Sequence, residues 1–281
     1  MKIIECPRDA MQGLHQFIET ETKVNYINQL LKVGFDSIDF GSFVSPKAIP
    51  QLRDTAQVVK QLDLSNTSTK LLAIVANFRG AQDAASFEEI TYLGFPFSIS
   101  ETFQQRNTNS SITASLATVE QLQNLCIQKN KLPVIYISMG FGNPYGDDWN
   151  TDIVLHWVSK MVEMQIKIIS IADTVGVAKE NDIASVFQKL THQFSDIEFG
   201  AHLHCKPDNW RSKLEAALIN GCKRFDSALK GFGGCPFAED DLVGNLATEN
   251  LIAYLEEKEI DTHINKEAFD VAVLHAAKVF N

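Results

Sequence analysis

Short apolar runs alternate with longer amphipathic stretches along the whole chain. The apolar runs are "KIIEC" (2–6), "SIDFG" (37–41), "KLLAIVAN" (70–77), "PFSIS" (96–100), "LPVIYISMG" (132–140), "KIISIAD" (167–173), "IEFGAHLHC" (197–205) and "RFDSALKG" (224–231). Their length suits strands, and their near-continuous hydrophobicity is what parallel strands covered on both faces require. Between them lie helical patterns. In 22–34, Val24, Ile27, Leu30 and Leu31 share one face and Gly34 ends the run. Further helices are predicted over 50–61, 80–91, 111–129, 150–164, 180–193 and 208–220, with a helical tail over about 241–281. Eight strand–helix units in 281 residues suit an α/β fold of the (β/α)8 TIM-barrel type, with extra C-terminal helices. A doubly wound open sheet is the competitor, but no G-x-G-x-x-G follows the first strand. No linker, repeat or low-complexity block divides the chain, so residues 1–281 are read as one domain.

Composition narrows the partners. A hydrophobic fraction of 45% is ample for a packed core, and 21% charged residues is ordinary. The net charge of −10 argues against a nucleic-acid partner, which needs a basic face. No apolar stretch is long enough to span a membrane, and "MKIIECPRDA" lacks the basic and apolar regions of a secretory leader. The C-terminal "VLHAAKVFN" carries no lipidation or peroxisomal ending. Cys6, Cys126, Cys205, Cys222 and Cys235 form no C-x-x-C pair, and an odd number fits reduced thiols in a cytoplasm. Cys126 and Cys222 read as small buried hydrophobes.

In a barrel, chemistry belongs at the C-terminal ends of the strands. Those ends gather polar residues in an otherwise apolar framework. Arg8, Asp9 and Gln12 follow strand one; Asp39, Ser42, Ser45 and Lys47 end or follow strand two. Asn77 ends strand three, Glu101 follows strand four and Asn143 strand five; Asp173 and Thr174 end strand six. Strand seven carries His202 and His204, and the loops after strand eight carry Cys235 and Asn245. Residues i and i+2 of a strand face the same way, so the two histidines are either paired metal ligands or two core histidines that happen to alternate. His15, His156, His192, His263 and His275 lie in or beside helices and read as surface or packing residues.

In order, "PRDAMQ", "SFVSPKAIPQLRD", "ADTVGVA", "HLH", "GFGGCPFA" and "GNLATE" make the chain resemble the 3-hydroxy-3-methylglutaryl-CoA (HMG-CoA) lyases, members of the DRE-TIM metallolyases. The resemblance spans essentially the whole chain. The "SFVSPK" and "GFGGCP" segments match the lyase branch, while the Arg-Asp pair and H-x-H are shared with isopropylmalate and homocitrate synthases and 4-hydroxy-2-oxovalerate aldolases.

The resemblance implies the same barrel and a divalent metal, Mg2+ or Mn2+, held by Asp9, His202, His204 and Asn245. It also implies a carbon–carbon lyase that cleaves a 3-hydroxy acyl-CoA into acetyl-CoA and acetoacetate, in leucine or ketone-body catabolism. A mixed oxygen and imidazole donor set suits those ions better than a structural zinc. The metal lowers the pKa of the substrate hydroxyl as a Lewis acid, and Asp9 or His202 serves as base. Arg8 polarises the thioester carbonyl, and Cys235 is the acid that protonates the acetyl-CoA carbanion. Gln12, Asp39, Ser42, Lys47, Asn77, Asp173 and Thr174 are the candidate substrate contacts, with Lys47, Asn77 and Asn265 considered for coenzyme A. A homodimer or other homo-oligomer is expected.

Three segments depart from the family pattern. Asp39 stands where the lyases carry Glu, one methylene shorter, so its contact near the metal and Arg8 is expected to weaken or need a water. "CKPDNW" follows His204 in place of "DTYG", which is expected to put Cys205, Lys206 and Trp210 beside the site. "PRDAMQGL" replaces "PRDGLQNE", placing Gly13 and Leu14 where an Asn-Glu pair stands. These changes border the acyl pocket, so a lyase for another 3-hydroxy-3-substituted acyl-CoA is the nearest alternative. A condensing synthase would need a C-terminal extension for which 281 residues leave no room, and a non-catalytic barrel would not need Arg8, Asp9, His202, His204, Cys235 and Asn245 together. Mn2+ titration separates the enzyme readings from the non-catalytic one. The protein binds the ion and His204→Ala loses that binding; no binding, with no effect of the substitution, refutes both enzyme readings.

Overall fold

The structure is a computed structural model and describes residues 1–234 and 243–280; Cys235 lies outside the described residues. Eight parallel strands close into a barrel in chain order, with β8 pairing back onto β1. They are β1 (Lys2–Glu5), β2 (Ser37–Ser42), β3 (Lys70–Ile74), β4 (Ile90–Ser98), β5 (Leu132–Ser138), β6 (Ile168–Asp173), β7 (Glu198–Leu203) and β8 (Arg224–Ser227). The fold is therefore the predicted TIM barrel.

The main helices packed around it are α2 (Thr20–Leu30), α3 (Thr55–Val59), α4 (Phe78–Ala85), α6 (Ile112–Lys129), α7 (Thr151–Glu163), α8 (Glu180–Gln193) and α9 (Trp210–Ile219), followed by α10 (Thr248–Glu257) and α11 (Lys266–Val279). Two short helices, α1 (Pro7–Gln12) and α5 (Glu101–Thr108), lie where the apolar periodicity predicted none. Among the described residues no helix is long and apolar enough to cross a membrane.

Apolar packing occupies two layers, which explains why the strands read as continuously hydrophobic. Outward-facing side chains such as Leu71, Phe95, Ile135 and Ile169 join the helix faces in one large cluster. Inside the barrel a smaller cluster holds Leu72, Ile74, Tyr92, Val134, Tyr136 and Ile168. Most strand positions are thus buried from one side or the other.

The largest departure from the predicted boundaries is β4. The apolar run placed this strand at 96–100, yet the strand spans Ile90–Ser98. A Cβ at Gly94 would sit 2.6 Å from Ile74 Cδ1 inside the barrel, so any larger residue must displace that side chain, and glycine fits the close approach. The β3–β4 register ends at Ile74 opposite Gly94, so the missing N–H of Pro96 falls beyond that ladder. The helix predicted over 50–61 is interrupted, with a 3-10 turn at Pro50–Leu52 preceding α3.

Glu5, at the end of β1, ties both ends of the segment that follows β8. Its Oε1 accepts the Leu229 N–H at 2.9 Å and its Oε2 accepts the Thr248 hydroxyl at 2.6 Å. Thr248 Oγ1 is also 2.9 Å from Ser227 Oγ, so its hydroxyl can reverse direction. Complete burial lifts the Glu5 pKa from the ordinary 4.5 to about 8, against the pull of the Thr248 and Leu229 hydrogen bonds. The fold therefore favours the protonated form. The associated stability is complete below the ordinary value and is lost as pH rises through about 8. Glu5→Gln keeps an acceptor for Leu229 and a donor for Thr248 without titrating. Thermal melts from about pH 6 to about pH 9 are expected to show a larger fall in wild-type midpoint than in the variant; parallel curves contradict this assignment.

Candidate active site

The short helix α1 begins the site. Pro7 opens it, where a missing N–H leaves no helical bond unmade. Arg8 and Asp9 follow, and Gln12 returns to their face one turn later. Gln12 Nε2 donates to Asp9 Oδ1 at 2.7 Å. Arg8 Nη1 donates to the same oxygen at 2.9 Å and to Gln12 Oε1 at 2.8 Å.

The other edge of the Arg8 guanidinium grips Asp39: Nε lies 2.9 Å and Nη2 2.5 Å from Oδ2. The shorter side chain at position 39 thus reaches Arg8 directly, and the expected weakening or bridging water is not needed. Burial raises Asp39 to about 6 even beside this cation. Asp9 is also buried, but the Arg8 charge, with the neighbouring histidines and the Asn245 hydrogen bond, outweighs that burial and holds it down at about 2.

His202 and His204 resolve their ambiguity by facing the same interior. Their Nε2 atoms lie 3.2 Å apart, and the donor atoms of Asp9, His202 and His204 all fall within 4.8 Å of one another. Adjacent donors of an octahedral site with bonds of about 2.1 Å lie about 3 Å apart, so the pair fits one small cation. Burial and the neighbouring His202 push His204 down to about 4, leaving its imidazole neutral, and Asp9 is ionised. Those are the states metal donors must have.

Asn245 arrives by tertiary closure. It forms a bridge with His204, and its Nδ2 donates to Asp9 Oδ2 at 2.6 Å and to the Phe232 carbonyl at 2.9 Å. Both amide hydrogens are committed, which leaves the amide oxygen as the atom able to ligate. Gly233 makes room for this contact, because a Cβ there would lie 2.5 Å from Asn245 Nδ2 and the backbone has a positive φ of 106°. The described residues therefore fit a divalent cation: one carboxylate, two imidazoles and one amide converge from β1, β7 and the segment after β8.

A cavity of about 130 Å³ opens beside this cluster, lined by Arg8, Asp9, Gln12, Thr174, His202 and His204 on its polar side. Val44, Ile49, Ile74, Pro96, Phe103 and Tyr136 form much of the apolar wall.

Other expected residues do not reach it. Ser42 Oγ accepts the Val44 N–H, Asn77 caps α4 by accepting the Gly80 N–H, and Lys47 is exposed and outside the lining. Asn143 organises its own loop through Asp147, and Glu101 accepts the Ile112 N–H. Asp173 is buried against Lys213, whose Nζ donates to Asp173 Oδ2 at 2.7 Å, to the Gly176 carbonyl at 2.9 Å and to the His204 carbonyl at 3.0 Å. Asn265, considered for coenzyme A, caps α11 at the opposite end of the barrel, where its N–H donates to the Val33 carbonyl.

Of the residues after His204, Trp210 packs edge-on against Tyr254 in the helical layer, Lys206 is exposed, and none of Cys205, Lys206 or Trp210 lines the cavity. Asn107 and Thr108 do line it. They sit on α5, whose sequence "ETFQQRNT" has no apolar stripe to reveal it.

Side chains able to ligate a metal, converging at the C-terminal mouth of a closed parallel barrel, define a TIM-barrel enzyme with a candidate divalent-metal centre. The chain belongs to the HMGL-like family, whose model matches residues 2–273. It is 34% identical over 272 residues to the hydroxymethylglutaryl-CoA lyase YngG of Bacillus subtilis, covering 97% of this chain and 89% of that protein. It is 29% identical to a 3-hydroxy-3-isohexenylglutaryl-CoA/hydroxymethylglutaryl-CoA lyase of Pseudomonas aeruginosa, covering 95% and 89%. The solved HMG-CoA lyase of Acinetobacter baumannii in complex with coenzyme A and 3-methylmalate superposes with a TM-score of 0.92 at 29% identity, covering 99% of this chain and 90% of that one.

Lys213 is the one cation within hydrogen-bonding reach of Asp173 among the described residues, and both are buried. Lys213→Met leaves that carboxylate uncompensated, a loss of about 3–5 kcal/mol. Urea denaturation is expected to show it as a large drop in midpoint; a midpoint close to wild type refutes it.

Proposed function

We propose that the protein is a divalent-metal-dependent carbon–carbon lyase that cleaves HMG-CoA to acetyl-CoA and acetoacetate. The observation that carries this reading is the convergence of Asp9, His202 and His204, with Asn245 and Arg8 against them, at the mouth of an HMGL-like barrel. Asp9, His202, His204 and Asn245 would hold Mg2+ or Mn2+, and a bound ion of that kind supplies Lewis acidity toward the substrate hydroxyl.

The protein's own residues supply the rest. The acceptor for the hydroxyl proton is the Asp9 carboxylate, or the His202 ring if its Nε2 is not engaged by the ion. Arg8, locked by Asp39, Asp9 and Gln12, presents a fixed cation to the thioester carbonyl, where charge develops as the bond breaks. Gln12 and Thr174 supply polar contacts along the cavity wall. Cys235 is assigned as the acid that protonates the departing acetyl-CoA carbanion. The thioester substrate fits the coenzyme A complex of the Acinetobacter relative.

The apolar wall of Val44, Ile74, Pro96 and Phe103 favours a second reading, a substrate with a longer 3-alkyl branch, as the Pseudomonas relative's name indicates for that enzyme. We place the protein in the cytoplasm, a reading supported by its four free described cysteines, and as a homo-oligomer whose mass light scattering would establish.

The decisive assay follows acetyl-CoA release from HMG-CoA and a panel of 3-hydroxy-3-alkylglutaryl-CoA thioesters with Mg2+ or Mn2+. HMG-CoA turnover abolished by chelation is expected, and no release from any thioester refutes the lyase reading. Arg8→Gln and Cys235→Ala are each expected to lower kcat by about 10²–10³ while leaving the circular dichroism spectrum unchanged. Turnover near wild type in either variant removes that residue from the mechanism.

A further inference from the structure

Beneath the donor cluster, β8 contributes a carboxylate that does not line the cavity. Asp226 lies opposite His202 in the β7–β8 register, and its side chain is fully buried. Its Oδ2 is 3.1 Å from His202 Nδ1, while His202 Nε2 faces His204 on the other side of the ring. The ring therefore bridges a buried carboxylate and the candidate metal centre. A carboxylate accepts hydrogen bonds, so Nδ1 carries a hydrogen and, in the neutral ring, Nε2 keeps the lone pair.

Among the described residues nothing else nearby takes over this role. Cys6 is close enough to form a group with His202 and Asp226, but its thiol donates to the Ile4 carbonyl. Tyr136 meets the His202 ring edge-on, with centroids 5.9 Å apart, and so limits its swing.

The opposite oxygen of the carboxylate is informative too. Among the described residues Asp226 Oδ1 has no hydrogen-bond partner, nor do the buried Tyr136 hydroxyl and Arg224 Nε and Nη2. Arg224 lies across Gly200, where an added Cβ would sit 3.1 Å from its Cδ, and Nη1 is anchored on Glu198 at 3.1 Å. Unpaired donors and acceptors inside one barrel form the kind of polar interior that bridging water occupies. A buried guanidinium thus stands one layer below the carboxylate.

We propose that Asp226 is a positioning residue for divalent-ion capture, fixing the His202 ring so that its Nε2 lone pair faces Asp9 and His204, with Arg224 as the counter-charge beneath. The proposal rests on the reading of His202 as a metal ligand given above. Carboxylates behind ligating imidazoles orient the ring and raise its basicity, and their loss lowers metal affinity.

The test uses the full-length protein, stripped of metal, with Mn2+ as the probe. Paramagnetic resonance of free Mn2+ is expected to show affinity falling roughly 10–100-fold in Asp226→Asn. At saturating Mn2+ the variant's KM for the acyl-CoA stays at the wild-type value, which a general loss of structure would not allow. Nitrogen-15 resonances of the metal-free wild type are expected to report the Nδ1–H tautomer at His202. Wild-type Mn2+ affinity in Asp226→Asn, with binding lost in His204→Ala, overturns the role of Asp226 alone. Absence of Mn2+ binding by the wild type overturns the metal-centre reading with it. Should Asp226→Asn fail to fold, the wild-type tautomer decides, and an Nε2–H ring at His202 overturns the proposal.

Discussion

Pairing of β8 with β1 is the constraint on which the site depends. Asp9 follows the first strand and Asn245 follows the last, and only closure of the barrel brings the Asn245 amide to 2.6 Å from the Asp9 carboxylate. Glu5 reinforces the same seam by holding Leu229 and Thr248, the two ends of the segment between β8 and α10. An open sheet with the same strands would leave Asp9 at one edge and the histidines and Asn245 at the other. Closure is thus a packing solution and the means by which residues from both ends of the chain form one cluster.

Within that frame the site is an arrangement of buried charge. Asp9, Asp39 and Asp226 lie inside the barrel with Arg8 and Arg224, an arrangement that persists only if every charge has a partner. Arg8 serves two carboxylates at once because its planar fork offers donors along two edges. The consequence is a division of roles. Asp39 is turned toward Arg8, while Asp9 has one oxygen held by Arg8 and Gln12 and the other by Asn245. On the far side of the cluster Lys213 ties Asp173 to the His204 carbonyl, so His204 is braced from behind.

Much of this was legible in the chain. The eight strands, the helices between them and the barrel follow from apolar periodicity, because a strand covered on both faces must be hydrophobic at nearly every position. Arg8, Asp9, Gln12, Thr174, His202 and His204 were readable as mouth residues because strand ends are recognisable, and all six line the cavity. Strand boundaries failed at β4, where Gly94 answers to close packing against Ile74 of β3 and not to any local turn. Helix α5 failed for the opposite reason: it carries no amphipathic stripe, and its caps and contacts hold it in place.

The sequence by itself determined the fold class, the end of the barrel where chemistry belongs and the residue types available there, since those depend on local pattern and on strand order. Only the tertiary structure decided which polar residues act on one another. Asn77, Ser42 and Asp173 look like site residues in the chain, yet each is committed to a backbone or buried partner nearby. Asp226 passed unnoticed inside an apolar strand, although its carboxylate meets His202 on the neighbouring strand. The physical reason is the short range of these interactions. Hydrogen bonds and ion pairs act over a few ångströms: Ser42 and Asn77 are taken by backbone groups two and three residues on, while the partners of Asp173 and Asp226 are set by packing and register between separate elements.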